Sequence, residues 1–257
     1  MTALTTDEIR TVARSLIAAR SAGEALAQLT PSPTTESDGY LIQDATIELN
    51  PNKVVGWKVG ATSTFAMELF KTNEPFAGPV FDGTLFHGTA DTSVFRAPAV
   101  EGEFAFVLAS DLPARGELYS RPEVEAAIGD VHGAIELVDT RVEGFPLPLP
   151  VMLADCSGNG GLVVGAGSGD RSALDLLTTK ASMTITGEVT GSGVGADAYG
   201  DPVDSLVWLV NHLSVRGHDL LAGMVVTTGS CTGIAPLSAG ASATADFGAL
   251  GQVSATN

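Results

Sequence analysis

The first twenty residues carry apolar side chains at helical spacing. Ile9, Val12, Ala13, Leu16 and Ile17 follow the pair Thr5 and Glu8, which has the form of a capping box, and this predicts an amphipathic helix over about residues 5–20. Thr30-Pro31-Ser32-Pro33-Thr34-Thr35 cannot continue a helix and reads as an exposed linker. A second helix is expected from Ser37 or Asp38, with Tyr40, Leu41, Ala45 and Leu49 on one side and a stop at Asn50-Pro51. The two helices read as a small amino-terminal cap, residues 1–52, on a β-rich domain, residues 53–257, the whole being one structural unit.

After Pro51 the pattern changes to short β-branched and aromatic runs broken by glycine. Strands are expected at Val54–Gly60, Val100–Leu108, Ala134–Val138, Leu162–Gly165 and Ala181–Val189, and again from Gly223 to the end. Short helices are expected at Thr64–Phe70 and Arg121–Ile128. Glu74–Phe81 and Gly191–Gly195 read as loops, and Leu153–Gly161 as a turn-rich stretch. Asp201-Pro202 supplies an N-cap and an N1 proline to the clearest helix, with Val203, Leu206, Val207, Val210 and Leu213 on its core face and its end at Gly217.

Polar residues inside these strands carry the chemistry. Side chains alternate along a strand, so Glu101 and Glu103 share a face, roughly 6–7 Å apart at the Cα atoms, while Phe104, Phe106 and Leu108 face the other way. Two like charges on an apolar strand repel and resist desolvation unless a cation or a proton lies between them. Their spacing suits oxygens reaching one Mg²⁺ at about 2.1 Å. Glu136, alone among aliphatic residues, is a candidate third ligand. The competing arrangement leaves Glu101 and Glu103 in solvent on a one-sided strand, with Glu136 paired to an arginine such as Arg141. Lys58, in the apolar run Gly56-Trp57-Lys58-Val59-Gly60, either pairs with an acid, works as an acid–base group, or extends its ammonium to water.

Composition narrows the classes. The chain has 257 residues, 44% hydrophobic, enough for a full core. A net charge of −17 argues against nucleic acid and anionic membrane surfaces as partners. Cys156 and Cys231 are too few for a disulfide framework and fit a reducing cytoplasmic setting. The acidic segment Met1–Glu8 has no signal-peptide pattern, and no run reaches membrane-span length. There is no phosphate loop, no nucleophile elbow around Ser192, and no zinc spacing among His87, His132, His212 and His218. Alternation puts His132 on the face of Glu136, about 13 Å along the strand, a supporting position at best.

In order, Gly56-Trp57-Lys58-Val59-Gly60, Val100-Glu101-Gly102-Glu103-Phe104, Ala134-Ile135-Glu136-Leu137-Val138, Thr228-Gly229-Ser230 and Asp246-Phe247-Gly248 resemble the fumarylacetoacetate hydrolase superfamily. More narrowly, the chain is similar to its 2-keto-4-pentenoate hydratase and 4-oxalocrotonate decarboxylase branch over nearly its whole length. The resemblance implies an α+β fold on a mixed, rolled β-sheet, and homo-oligomers with a possible complex between related lyases. It implies Mg²⁺ or Mn²⁺ on Glu101, Glu103 and Glu136, Lys58 close to a 2-keto acid, and the substrate carboxylate received by Thr228, Gly229 and Ser230. Asp155 matches an acid of the branch and is expected among the catalytic residues or just behind them.

Three departures bear on the reaction. Phe76 stands where hydratases of the branch usually carry an aspartate, Gly133 replaces a proline behind His132, and Cys156 replaces an asparagine after Asp155. The expectation is a metal-dependent lyase of small 2-keto acids, a hydratase first and a decarboxylase second. Carbon–carbon bond hydrolysis ranks lower because no histidine precedes His87, and an inactive partner subunit is the reading of a different class.

Overall fold

The protein is described from a computed structural model covering residues 4–170 and 174–257; Met1, Thr2 and Ala3 of the acidic leading segment lie outside the described residues. Helix α1, Thr6–Ala22, opens on the Thr5–Glu8 capping box and closes at Gly23 in the left-handed region. Helix α2, Glu36–Leu49, starts slightly before the expected position because Thr35 and Asp38 form the cap. Both pack through Val12, Leu16 and Ile42 against Leu153 and Phe76, a core separate from the main one.

Among the described residues the strands form two sheets. The larger has seven, and its central members are β1 (Val54–Gly60), β5 (Ala99–Leu108), β6 (Ile128–Val138) and β10 (Val225–Pro236). β10 lies between β1 and β5, parallel to the first and antiparallel to the second, and β5 pairs antiparallel with β6. The outer members are β2 (Phe76–Phe81) beyond β1, and β7 (Asn159–Val164) and β3 (Leu85–His87) beyond β6. The second sheet has five strands, in the order β4 (Thr89–Asp91), β12 (Gln252–Thr256), β11 (Ser242–Asp246), β8 (Lys180–Ile185) and β9 (Glu188–Val194). The main core lies between the sheets, where Phe104 meets Phe247 edge-on at 5.3 Å between ring centroids. Helix α6, Pro202–Val215, adds Leu206, Leu209, Val210 and Leu213 to it, and its N-cap Asp201 accepts from the Val203 amide. Helices α3 (Thr64–Phe70), α4 (Arg121–Ala127) and α5 (Leu149–Ala154) are short.

Four segments differ from expectation. Residues 76–81 are strand, not loop, because an edge position tolerates Pro79, which lies opposite Trp57 on β1. The run 181–189 breaks at Thr186 and Gly187, both at positive φ, so that β8 and β9 form a hairpin. The expected loop at Gly191–Gly195 mostly belongs to β9. Its glycines serve close packing, since a Cβ at Gly191 or Gly193 would stand 2.0 Å from the Thr232 carbonyl oxygen or 2.1 Å from that of Cys231. Helix α5 takes in Leu153 and Ala154, the first two residues of the stretch expected to be turn-rich. No helix among the described residues is long and apolar enough to cross a membrane.

Candidate active site

Strand register brings the acids together. Glu101 on β5 lies directly opposite Glu136 on β6, and Glu103, two residues on, lies opposite Ala134. All three carboxylates therefore emerge on one face, with an oxygen of each within 4.8 Å of the others. Lys58 comes from farther away. β1 is three strand spacings from β6, about 14 Å on a flat sheet, yet the Lys58 Nζ stands 3.2 Å from Glu136 Oε1. The length of the two side chains and the curl of the sheet between them close that gap.

The competing surface arrangement does not occur. Lys58, Glu103 and Glu136 are buried, and Glu136 pairs with Lys58 rather than Arg141. Burial, then the Glu136 charge, pushes Glu101 up to about 7 against the opposing pull of Lys58. Burial, then Glu136 and Glu101, holds Glu103 well above the ordinary carboxylate range. Glu136 Oε2 is buried with no hydrogen-bond partner among the described residues. An all-oxygen donor set with excess negative charge and an unmatched buried oxygen fits a hard divalent cation.

Glu101, Glu103 and Lys58 face a cavity of about 360 Å³, within the range of small-molecule sites. Of the residues expected to receive substrate, Ser230 lines it, with its hydroxyl beside Glu101. Thr228 instead donates its hydroxyl to the Phe104 carbonyl at 3.0 Å, and the Gly229 amide donates to Glu103 Oε2 at 2.9 Å. These two groups build and orient the acid cluster. Asp155 is not among the cavity-lining residues. Its carboxylate accepts from the Arg141 side chain and backbone at 2.5 and 2.6 Å in a buried ion pair.

That pair leads back to the acids through a residue that spacing did not mark. Arg141 donates to the Asn159 carbonyl at 2.8 Å, and Asn159 Nδ2 donates to Glu136 Oε1 at 3.1 Å. The amide absent beside Asp155 is thus matched by one from the start of β7. Phe76 also has a defined place. Its ring lies 5.3 Å from the Lys58 ammonium and meets Phe70 edge-on, and Gly60 makes room for it, a Cβ there falling 2.2 Å from the ring. His132 lies elsewhere, its Nδ1 2.9 Å from the Gly165 carbonyl oxygen.

Fold and site together define an α+β protein of the fumarylacetoacetate-hydrolase type, with a carboxylate cluster set in a rolled mixed sheet. No protein-family model matches the chain. It is 31% identical over 242 residues to 2-hydroxyhexa-2,4-dienoate hydratase of Comamonas testosteroni, covering 90% of each chain. It is 33% identical over 210 residues to 4-oxalocrotonate decarboxylase of Pseudomonas sp. (strain CF600), covering 81% of this chain and 79% of that one. The solved 4-oxalocrotonate decarboxylase from Pseudomonas putida G7, complexed with magnesium and adipate, superposes with a TM-score of 0.89 at 29% identity, covering 100% of this chain and 99% of that one. The chain belongs to the 2-keto-4-pentenoate hydratase and 4-oxalocrotonate decarboxylase family.

Proposed function

We propose that the protein is a Mg²⁺- or Mn²⁺-dependent lyase that hydrates a 2-hydroxyalka-2,4-dienoate to a 4-hydroxy-2-oxo acid, with Glu101, Glu103 and Glu136 holding the cation. The observation that carries this reading is the meeting of three carboxylates within 4.8 Å beside a buried lysine and a cavity. A divalent ion bound there supplies Lewis-acid polarisation of the 2-oxo and carboxylate oxygens. Lys58, 3.2 Å from Glu136 Oε1, would hold the substrate carboxylate or carry a proton beside the cation that Glu101, Glu103 and Glu136 would hold. The proton leaving the 2-hydroxyl and the proton gained at the far end of the diene convert the dienol to an enone, and one water then adds across the remaining alkene. Ser230 is placed to orient the oxygen-bearing end. Asp155 acts at a distance, through Arg141 and Asn159 on Glu136, and is a positioning residue.

Decarboxylation is the second reading, favoured by the likeness to the Pseudomonas decarboxylases. The two are separated by incubating the protein with freshly generated 2-hydroxypenta-2,4-dienoate, with and without Mg²⁺. Metal-dependent loss of the dienol absorbance without gas supports hydration, and CO₂ release from 2-oxohex-3-enedioate supports decarboxylation. No turnover of any 2-keto acid supports the inactive-partner reading.

We further propose a cytoplasmic homo-oligomer in which residues 1–52 cap the catalytic domain of residues 53–257. Cys156 and Cys231 are both free and buried, which suits a reducing compartment. Leu41, Leu118 and Val215 line one exposed groove with Trp208, a surface that association would cover. A complex with a related lyase is an alternative occupant of that surface, and sedimentation of the pure protein distinguishes the two.

A further inference from the structure

We infer that the site selects 2-oxo acids with an uncharged, apolar tail and discriminates against those bearing a second carboxylate. This rests on the reading of the site above. Among the described residues lining the cavity, Lys58 is the only cation, and it lies at the acid cluster beside Glu136. The charges that accompany it are Glu101, Glu103 and, toward the rim, the exposed Asp197, all negative. The rest of the wall is uncharged. Its hydroxyls are those of Thr62, Ser63, Ser157, Ser192, Ser230 and Thr232, and its hydrocarbon comes chiefly from Ala66, Leu69 and Phe70 of helix α3, Phe76 of β2, Phe145 and Ile234. Phe70 is the centre of this wall, meeting Phe76 at 5.3 Å and Phe145 at 6.5 Å, both edge-on.

The substrate head, with its carboxylate and 2-oxo group, must lie at the cation-binding acids and Lys58. The tail is then directed along the phenylalanine wall. A hydrocarbon tail there exchanges water for aromatic contact. A carboxylate at its end would lose hydration without gaining a counter-ion, among groups already of its own sign. Phe76 enforces this, since it fills with a ring a place next to Lys58 that a polar side chain would otherwise share with water. The nearest candidate to rescue a second carboxylate is Arg96, which lines an adjoining pocket that shares Val138, Phe145 and Ile234 with the cavity. Arg96 already donates to the Thr140 carbonyl at 3.2 Å, and the Phe145 and Ile234 side chains border both spaces. On this inference the chain differs in the tail it accepts from the relative solved with adipate, a dicarboxylate.

The test is equilibrium binding to the Mg²⁺-loaded protein of two saturated acids of equal chain length, 2-oxohexanoate and 2-oxoadipate. Turnover of 2-hydroxyhexa-2,4-dienoate and of its ω-carboxylated counterpart is measured alongside. The expected result is about 100-fold or more in favour of the monoacid in Kd and in kcat/KM. Replacing Ile234 by arginine should then narrow the gap by at least about 10-fold by supplying the missing cation. Equal or tighter binding of 2-oxoadipate overturns the inference, and if that binding disappears in Arg96→Ala, Arg96 is the counter-ion. A monoacid preference in binding without turnover of either dienoate upholds the inference and removes the hydratase reading.

Discussion

At the scale of single residues, each polar group of the acid cluster has a distinct effect on the metal-free protein. Glu103→Gln removes one of three crowded carboxyl groups from the acid cluster. Thermal unfolding of the metal-free variant should therefore occur at or above the wild-type temperature, while activity falls by at least about 100-fold. Unfolding well below the wild-type temperature would mean that Glu103 is a structural residue. Lys58→Met acts in the opposite direction, because it strips Glu136 of its ion-pair partner. The metal-free variant should lose about 3 kcal/mol, as expected for breaking a buried pair from one side. Added Mg²⁺ should recover much of that loss, with kcat reduced by about 100-fold and Kd for Mg²⁺ changed by less than about 10-fold. Calorimetry and steady-state kinetics on the same preparation read all three.

At the scale of elements, the site depends on strand register and on one buried ion pair. Asp155→Asn weakens the hold on Arg141, which positions Asn159 and through it Glu136. Metal affinity should drop by about 10- to 100-fold, with a smaller effect on the KM of substrate at saturating Mg²⁺. A purely structural role would lower the unfolding temperature and leave the metal affinity of the folded protein alone. The sequence made the acid cluster legible because a strand has a period of two. Glu101 and Glu103 had to share a face, and carboxylates among aliphatic residues could not be left uncompensated. The partner of Lys58 was not legible, because it depends on how far the sheet curls, a property of the whole layer. Asn159 is illegible for a similar reason, since it stands at the glycine-rich start of β7 and its importance comes from a carboxylate 23 positions away. The glycines of β9 look like loop residues in the sequence because glycine serves two ends. There it admits the neighbouring backbone, and in a loop it would have supplied freedom of φ.

Across the whole molecule, two partly buried groups give stability opposite dependences on pH. Burial, followed by the nearby Arg216 charge, lowers His212 to about 4, where its ring stacks on Trp208 at 4.7 Å. In the unfolded chain the same group titrates near about 6.5. The unfolded state therefore binds the extra proton first, so this contribution is complete above about pH 6.5 and is lost as the pH falls through about 4. His212→Phe should reduce the loss of unfolding temperature between about pH 6.5 and pH 4.5. Glu101 has the reverse sign. Raised to about 7 in the metal-free fold, it contributes stability that is complete below the unfolded carboxylate value of about 4 and is lost as the pH rises through about 7. The metal-free protein should accordingly weaken between about pH 5.5 and pH 7.5, and saturating Mg²⁺ should stabilise it more at the upper pH, where the carboxylates no longer need to release protons to bind.

The central claim, that three glutamates from neighbouring strands hold one divalent cation, is tested most directly by titrating Mg²⁺ into the metal-free protein in a calorimeter, alongside Glu101→Gln, Glu103→Gln and Glu136→Gln. The account predicts one site per chain in the wild type and its loss, or a fall in affinity of at least about 100-fold, in each folded variant. Unchanged binding in any one of the three would contradict it.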